Sequence, residues 1–262
     1  MSRAIFITGG ASGIGLAAAR RFHREGWTIG IGDIDRAGMA RAAEELGRGR
    51  SDGAFTALLD VRDRAGWAGA LDGFVAHSGG RLDVLLNNAG IARYGMFEDI
   101  TPAESELQID INIKGVINGA YAALPHLKAT PGSRLINVAS VAGIVGSPGL
   151  AVYSATKFAV RGLSEALDAE FTRHGIAVAC VMPFFIETPL LDVGSSGTNR
   201  SIRDAIGSAP VYTVTDAADA IWRAAHGTAR EYIVGKAGRQ AQFSQRFMPG
   251  RLRRRLKAPF GG

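Results

Sequence analysis

Arg3-Ala-Ile-Phe-Ile-Thr-Gly-Gly-Ala-Ser-Gly-Ile-Gly15 begins almost at the first residue of this 262-residue chain and decides its fold. Arg3–Thr8 has the apolar, β-rich character of a strand, a glycine turn follows at once, and residues 16–25 have the pattern of a helix that Gly26 ends. In a strand–glycine turn–helix unit, backbone N–H groups and the helix N-terminus bind a pyrophosphate. The glycine spacing is Gly-x-x-x-Gly-x-Gly and differs from the commoner Gly-x-Gly-x-x-Gly. The stretch therefore predicts a dinucleotide-binding α/β unit.

A carboxylate stands where such a unit meets the sugar of its ligand. The second apolar strand, residues 27–32, is followed directly by Asp33. An acidic residue at this place accepts hydrogen bonds from the adenosine ribose hydroxyls, and a 2′-phosphate would bring negative charge against it. Arg36 is the one nearby cation, and Asp35 beside it competes for that charge. We therefore predict that the cofactor is NAD, preferred over NADP.

Tyr153 and Lys157 stand four residues apart in an otherwise apolar helical pattern. A helix places residues i and i+4 on one face, so the phenol and the ammonium point the same way. Their ordinary pKa values, near ~10 and ~10.4, are too high for proton exchange at neutral pH. A nearby positive charge favours the phenolate, which makes the pair a candidate general acid/base. Taken alone, the spacing is more typical of an ordinary, partly exposed helix face.

Three more segments carry polar residues at places where chemistry is expected. An apolar strand from Leu82 ends in Asn87-Asn88-Ala89-Gly90, Asn112 lies in a helical stretch, and the strand that starts at Arg134 ends in Ser140, 13 residues before Tyr153. With these motifs in place, the chain resembles the short-chain dehydrogenase/reductase family. The resemblance extends over roughly residues 3–234, because five separate motifs occur in the family's order and with its spacings.

The resemblance implies four catalytic residues. Tyr153 would exchange a proton with the substrate oxygen, and Lys157 would lower the tyrosine pKa and hold the nicotinamide ribose. Ser140 would hydrogen-bond the substrate oxygen and steady the charge that develops there. Asn112 would anchor a water behind Lys157. The alternatives from the residues alone are core packing for Tyr153, a hydroxyl that bonds its own turn for Ser140, and an asparagine that satisfies backbone groups for Asn112.

The resemblance also implies the residues that contact the cofactor. They are Gly9, Ser12, Gly13, Ile14, Gly15, Asp33, Asp60, Val61, Asn88, Ala89, Gly90, Tyr153, Lys157, Ile186 and Thr188. Ser12 stands where NADP-using relatives commonly carry a basic residue. One departure concerns Phe184, because the family usually has Pro-Gly where this chain has Pro183-Phe184. The ring either changes the packing of the nicotinamide or narrows an apolar substrate pocket.

Substrate identity should depend on residues 187–212, where Gly194-Ser-Ser-Gly-Thr-Asn199 has loop composition and suggests a mobile lid. The candidate pocket residues are Tyr94, Ala142, Leu150, Phe184 and Leu190, with Arg93, Ile144, Phe185 and Leu191 as further neighbours. Most of these side chains are apolar, and no clustered charge suggests a phosphate or dicarboxylate. The expected substrate is a moderately apolar secondary alcohol or its ketone.

Alternating apolar strands and helical runs predict one Rossmann-type doubly wound parallel sheet of about seven strands with helices on both faces. We assign residues 1–238 to this domain and residues 239–262 to a basic C-terminal tail. The remaining elements are expected as helices over Arg36–Leu46, Asp63–His77, Pro102–Leu124, Val152–His174 and Asp216–Ala225, and as strands over Ala54–Leu59, Ile176–Met182 and Tyr232–Val234.

The net charge of +6 is concentrated at the C-terminus. Residues 251–262 contain five cations and no acid, so the rest of the chain carries +1. Basic segments can bind nucleic acid or an anionic membrane. We expect a solvated tail or one at an oligomer interface, and no nucleic-acid partner, while membrane-surface contact stays open but not favoured. The resemblance implies a homo-oligomer, either a dimer or a tetramer.

Cysteine and histidine usage favours a soluble, cytoplasmic protein without a metal. Cys180 is the only cysteine, so an intrachain disulfide is excluded. The five histidines have no metal-ligand spacing. The first strand begins too early to leave room for a signal peptide, and the longest apolar run, residues 176–186, is too short to span a bilayer.

The leading interpretation is an NAD-dependent alcohol dehydrogenase or carbonyl reductase. Two alternatives remain: an epimerase or dehydratase of the same fold, and a non-catalytic dinucleotide-binding regulator. The complete set of Ser140, Tyr153, Lys157 and Asn112 disfavours both, because a regulator is expected to have lost part of it. The substrate, the physiological direction and the stereochemistry are not determined by these residues.

Overall fold

The computed structural model describes residues 2–48 and 53–258 and contains one seven-stranded sheet. Its strands are β1 (Ala4–Thr8), β2 (Thr28–Asp33), β3 (Phe55–Leu58), β4 (Val84–Asn87), β5 (Arg134–Val138), β6 (Ala177–Pro183) and β7 (Glu231–Val234). They pair in the order β3-β2-β1-β4-β5-β6-β7, and every pairing is parallel. The predicted doubly wound parallel sheet is confirmed.

The central strands are buried on both faces, which explains their continuous apolar runs. All five residues of β1 and all four of β4 are buried, and Ile5 is aligned with Ile29 on one side and Val84 on the other. The edge strand β3 alternates instead between half-buried and exposed residues. This difference between centre and edge follows from helices that cover the middle of the sheet.

Ten helices accompany the sheet in the described part of the chain. They are α1 (Gly13–Arg24), α2 (Arg36–Gly47), α3 (Arg64–His77), α4 (Pro102–Ile109), α5 (Gly115–Ala129), α6 (Ala151–Phe171), α7 (Ile202–Ile206), α8 (Val214–His226), α9 (Lys236–Phe247) and α10 (Pro249–Lys257). Helices α1, α2 and α8 form one core with the sheet, while α3, α5 and α6 pack on its other face. Each layer buries the apolar side of its helices against the strands.

The order of the strands reverses at β1, whose neighbours are β2 on one side and β4 on the other. In open parallel sheets a ligand binds in the crevice at such a reversal, outside the carboxyl ends of the strands. The glycine turn follows β1, Asp33 ends β2, Asn88 follows β4, and Ser140 lies just beyond β5. The motifs identified from the sequence therefore meet at one edge of the sheet.

The stretch expected as one helix over Pro102–Leu124 contains an irregular turn. Helix α4 begins with a capping box between Thr101 and Glu104, in which each side chain accepts the backbone N–H of the other residue. A π-helical turn, Asp110–Lys114, then separates α4 from α5. Such turns insert an extra residue into a helix and are frequent at functional sites. Asn112 lies within this one.

The segment expected as a basic tail forms two helices as far as it is described, through residue 258, and residues 259–262 lie outside the described part. The domain boundary drawn at residue 238 falls inside α9. Pro249 stands at the start of α10, where its missing N–H costs nothing, so Pro249-Gly250 begins a helix instead of ending one. Leu252 and Leu256 pack against a buried cluster beside β6.

Candidate active site

Two connected cavities lie at the carboxyl edge of the sheet. A cleft follows the glycine turn and the ends of β2 and β3, and a more enclosed cavity lies beside Ser140 and Tyr153. Both are lined by Ile14, Asn88, Gly90, Thr188 and Leu190. We call them the cofactor cleft and the reaction cavity. They form one path from Asp33 to Tyr153.

The glycine turn needs its glycines for two different reasons. Gly9 and Gly13 have φ angles of 64° and 53°, the left-handed region that other residues rarely adopt. A Cβ on Gly9 would stand 2.9 Å from the Cα of Ala89, and one on Gly15 would stand 2.2 Å from the carbonyl oxygen of Gly9. The turn is therefore packed tightly against the segment after β4, and only hydrogen atoms fit between them.

Thr8 fixes this contact and was missed from the sequence. Its buried Oγ1 accepts hydrogen bonds from the backbone N–H groups of Asn88 (3.0 Å) and Ala89 (3.1 Å). The amide Nδ2 of Asn88 donates to the carbonyl oxygens of Thr8 (2.9 Å) and Gly9 (3.2 Å). A hydroxyl residue that ends an apolar strand immediately before a glycine turn is the signal that could have identified it.

Asp33 is held firmly at the far end of the cofactor cleft. Its Oδ2 accepts from the backbone N–H of Ala11 and its Oδ1 from that of Asp35, each at 3.0 Å. Asp35 does not pair with Arg36, because its side chain accepts from the N–H of Gly38 and lies 3.9 Å from Arg41. The expected competition for the charge of Arg36 is therefore not seen in the structure.

Asp60 lies in the same cleft, beside Val61, and is paired with Arg62. The guanidinium and backbone N–H of Arg62 both donate to this carboxylate. The hydrogen bond from the Arg62 side chain lowers the pKa of Asp60 against a smaller opposing effect of burial. Asp60 is thus a charged group whose orientation is fixed by its own loop.

The cofactor cleft collects most of the residues that the resemblance assigns to cofactor binding. It is lined by Gly9, Ser12, Gly13, Ile14, Asp33, Asp60, Val61, Asn88, Ala89, Gly90 and Thr188. Ile186, Tyr153 and Lys157 line the reaction cavity instead. Gly15 lines neither cavity, because it lies in the packed contact between α1 and the glycine turn.

Lys157 and Tyr153 face the reaction cavity from the first turns of α6. The Lys157 Nζ donates to the carbonyl oxygen of Val138 at 3.0 Å and lies 5.6 Å from the centre of the Tyr153 ring. Lys157 is only 4% exposed, and this burial lowers its pKa to about 8. Burial also raises the pKa of Tyr153 to about 12, while the Ser140 side chain lowers it by a smaller amount. The structure thus shows a phenol pKa shifted upward, where the sequence suggested a downward shift, because the loss of hydration outweighs the neighbouring polar groups.

Ser140 begins a short 3₁₀ turn at the end of β5. Its Oγ accepts the N–H of Ala142 at 3.1 Å and lies 3.4 Å from the carbonyl oxygen of Pro183, to which it donates. The Ser140 hydroxyl does bond its own turn, as the alternative interpretation of this residue expected. The same hydroxyl also lines the reaction cavity with Tyr153, so it can reach a substrate oxygen by exchanging its weak bond to Pro183.

Asn112 is fully buried and connects two parts of the site. Its Oδ1 accepts from the backbone N–H of Ile91 (2.9 Å), and its Nδ2 donates to the Ile91 carbonyl oxygen (2.8 Å) and to Thr156 Oγ1 (3.1 Å). Thr156 in turn donates to the carbonyl oxygen of Tyr153. A Cβ on Gly90 would stand 3.1 Å from Asn112 Oδ1 and 3.5 Å from Lys157 Nζ. Asn112 therefore fixes the loop after β4 against the helix that carries the tyrosine and lysine.

The reaction cavity has mainly apolar walls. Of the predicted pocket residues, it is lined by Ala142, Leu150, Phe184, Phe185, Leu190 and Leu191. Tyr94 packs in the same apolar cluster without lining the cavity, and Ile144 is buried in a separate cluster behind it. Ser147, Val141 and Ile202 line the cavity and were not predicted. Arg93 also lies outside the lining and faces Glu104 at 3.5 Å.

The segment expected as a lid is closed by a pairing at its two ends. Ile186 and Tyr212 form an isolated parallel bridge, so the two ends of the segment 187–211 lie next to each other. Arg203 on α7 binds the carboxylates of both Glu187 and Asp192. This ion-pair cluster joins the start of the segment to α7, and Thr188, Leu190, Leu191 and Ile202 of the segment line the reaction cavity.

The tip of this segment is attached to the start of α4. Glu104 accepts hydrogen bonds from the backbone N–H and the hydroxyl of Ser196, each at 3.0 Å. Burial, the largest single influence, acts to raise the pKa of Glu104, but hydrogen bonds from Thr101 and Ser196 together lower it to about 2. The attachment therefore stays ionised at ordinary pH and holds the tip of the segment on α4 in the structure, while the mobility expected of this segment stays a prediction.

Metal and membrane signals are absent from the described residues. Within residues 2–48 and 53–258, no group of three or more His, Cys, Asp or Glu side chains is arranged to hold a metal ion. In the same ranges no helix is long and apolar enough to cross a bilayer. Cys180 is a buried thiol in β6 whose pKa is raised to about 12 by burial.

The chain is similar to short-chain dehydrogenases and other oxidoreductases of known sequence. A family model described as "short chain dehydrogenase" matches residues 3–197. The chain is 39% identical over 187 residues to "Oxidoreductase UcpA" of Escherichia coli K12, covering 71% of this chain and 70% of that protein. It is 37% identical over 193 residues to a "3-alpha-(or 20-beta)-hydroxysteroid dehydrogenase" of Mycobacterium tuberculosis H37Rv, covering 73% and 72%.

Solved structures show the same likeness. The 3-ketoacyl-(acyl-carrier-protein) reductase of Brucella melitensis, solved with NADH, superposes with a TM-score of 0.77 at 30% identity, covering 90% of this chain and 98% of that one. A short-chain dehydrogenase/reductase of Burkholderia phymatum superposes with a TM-score of 0.84 over 95% of each chain, and its 22% identity supports the fold alone.

Proposed function

The chain belongs to the short-chain dehydrogenase/reductase family and is an oxidoreductase of that family, and we propose that it moves a hydride between NAD(H) and a moderately apolar secondary alcohol or ketone. The observation that carries the proposal is the shared path from Asp33 to Tyr153. A cleft suited to a dinucleotide opens into an apolar cavity that presents Ser140, Tyr153 and Lys157.

The cleft has the features that a dinucleotide requires. The glycine turn leaves backbone N–H groups free of side chains at the N-terminus of α1, where a pyrophosphate is stabilised. The carboxylate of Asp33 would receive the ribose hydroxyls, and the amine of Lys157 would hold the nicotinamide ribose. When bound, the nicotinamide gives or accepts the hydride.

The protein itself would supply the proton transfer and the positioning. Tyr153 gives its phenolic proton to the ketone oxygen during reduction and recovers it from the alcohol during oxidation. Ser140 donates a hydrogen bond to the same oxygen and stabilises its developing negative charge. The ammonium of Lys157 favours the phenolate form, and Asn112 keeps α6 aligned with the loop after β4. The apolar walls exclude water and select the carbon skeleton of the substrate.

A panel of secondary alcohols and ketones, assayed with NAD(H) through cofactor absorbance, tests this proposal. We expect turnover of apolar members and little of phosphorylated or dicarboxylate members. Cofactor binding without turnover of any member would favour the dinucleotide-sensing regulator. Isomerisation or dehydration without net change of the cofactor would favour an epimerase or dehydratase.

The buried amine of Lys157 predicts a pH limit on reduction. Its pKa lies at about 8, well below the ordinary ~10.4, so raising the pH through 8 removes its charge. We expect kcat/KM for NADH, measured at saturating ketone, to be level below this pH and to fall about tenfold per unit above it. Lys157→Arg should move the decline to higher pH, since arginine stays charged. A decline that stays near pH 8 in this variant would assign it to another group.

Phe184 predicts the size limit of the substrate. The proposal is supported by its position among the residues that line the reaction cavity, since it does not line the cofactor cleft, and its ring centre is 4.7 Å from that of Phe185. Phe184→Ala should raise kcat/KM for bulky alcohols relative to small ones and leave the dissociation constant of NADH nearly unchanged. A large loss of NADH affinity with an unchanged substrate range would instead place the ring on the cofactor side.

A further inference from the structure

Helices α9 and α10 carry the strongest concentration of charge in the molecule. Residues 236–257 contain eight cations and no acid, so the remaining residues together carry −2 of the chain's net +6. The cations are Lys236, Arg239, Arg246, Arg251, Arg253, Arg254, Arg255 and Lys257, and all eight are exposed. Gln242 of α9 contacts Glu231, but that carboxylate is already paired with Arg161. The charge of the two helices therefore faces solvent without compensation within the described residues.

The same surface exposes large apolar side chains. Phe243 and Phe247 lie one turn apart on α9, with ring centres separated by 4.9 Å and exposures of 56% and 61%. Met248, at the bend between the helices, is 36% exposed. Arg246 lies over the Phe247 ring, with its guanidinium carbon 5.4 Å from the ring centre. Two phenyl rings and a thioether surrounded by arginines form an amphipathic surface that nothing in the described chain covers.

The two helices also enclose a shallow groove with a mixed lining. Lys236, Arg239, Arg251 and Arg255 supply its charge, and Phe243 and Met248 supply its apolar part. The opposite side of α10 is apolar, and its Leu252 and Leu256 pack on the core. Packing on the core thus holds α10 in place, and its arginines remain outside.

We propose that helices α9 and α10 form a docking surface for an anionic lipid bilayer, with Phe243 and Phe247 inserted at the level of the headgroups. The arginines attract anionic headgroups, and the phenyl rings gain free energy by leaving water for the acyl boundary. Charge alone would suit nucleic acid equally well. The exposed phenyl pair argues against a duplex, because a duplex keeps its bases stacked inside and presents charged phosphates to the rings.

Flotation of the full-length protein with vesicles tests the proposal. Vesicles of phosphatidylcholine alone are compared with vesicles of phosphatidylcholine and phosphatidylglycerol, at low and high salt. We expect binding to the anionic vesicles only and a decrease with salt, because counterions screen the attraction. Equal binding to both kinds of vesicle, or no binding to either, would overturn the proposal.

Two variants separate the contributions of charge and insertion. R251Q/R254Q/R255Q should weaken binding to anionic vesicles at least about tenfold. The matched control R24Q/K128Q/R173Q removes the same charge from exposed positions elsewhere and should have little effect. Phe243→Ser with Phe247→Ser should also reduce binding at least about tenfold, without changing the melting temperature, because both rings are exposed.

Two outcomes of the phenylalanine variant would contradict the proposal. If vesicle binding survives the loss of both rings but not of the arginines, the surface recognises polyanions in general, and duplex DNA in the same assay should then compete. If the variant instead changes the sedimentation coefficient of the free protein, the rings belong to an interface with a second copy of this chain. If the control R24Q/K128Q/R173Q weakens binding to anionic vesicles as much as R251Q/R254Q/R255Q does, the net charge of the protein and not this surface determines the binding.

Discussion

Replacing Tyr153 by Phe is expected to lower kcat about 10²–10⁴-fold and to leave the dissociation constant of NAD nearly unchanged. The change removes one oxygen atom, which the proposed mechanism uses to exchange the proton with the substrate. The remaining contacts of the residue do not depend on that oxygen. Its ring belongs to an apolar cluster with Leu150 and Phe185, and Thr156 holds its backbone carbonyl. Steady-state kinetics together with a NADH titration measure both quantities.

A second tyrosine in the same cluster provides the control. Tyr94 packs against the same apolar residues but does not line the reaction cavity. Tyr94→Phe removes the same atom from a neighbouring ring and should keep turnover within a few-fold of the parent protein. If both variants lose activity equally, the effect is structural, and near-normal turnover of the Tyr153 variant would exclude it as the general acid/base.

Cofactor choice gives the second large effect: kcat/KM with NAD should exceed that with NADP at least tenfold. Asp33 would lie against the ribose 2′-hydroxyl, where a 2′-phosphate adds like charge. At ~4 Å and an effective dielectric constant of ~20, one pair of unit charges costs about 4 kcal/mol, and a third of that is already about tenfold. The carboxylate cannot swing away without losing its hydrogen bonds to Ala11 and Asp35. Asp33→Ser should therefore relax the preference.

The isosteric variant Asp33→Asn separates charge from position. It removes the negative charge and retains one carbonyl oxygen to accept a backbone N–H. If charge sets the preference, the Ser and Asn variants should relax it similarly. A preference that survives in Asp33→Asn would assign discrimination to the shape of the loop, and equal activity of the parent protein with both cofactors would refute the role of Asp33.

The sequence predicted those features that depend on short-range patterns. The glycine turn, Asp33, Asn88 and Ser140 each follow an apolar strand, and parallel strands bring such ends to one edge. Their convergence therefore required only the strand assignments. The wall of the reaction cavity was predicted in part, because Leu150 and Phe184 lie next to recognisable motifs.

The remaining features depend on contacts between distant residues. The hydroxyl of Thr8 acts on residues about 80 positions away, and the serine that fastens the lid is 92 positions from Glu104. The upward shift in the pKa of Tyr153 depends on burial, which spacing does not reveal. Helix α10 was missed because its charged composition and Pro249 resemble a tail, and because the packing of Leu252 and Leu256 on the core is not visible in the sequence.

The π-helical turn Asp110–Lys114 makes the site sensitive to chain length as well as to side-chain identity. A deletion of one residue within it would restore α-helical hydrogen bonding and remove the bulge that contains Asn112, while the helices on either side kept their relative orientation. The amide of Asn112 could then no longer meet both Ile91 and Thr156. A single-residue deletion in this turn could thus disconnect the loop after β4 from α6, even though every motif residue would still be present in the sequence.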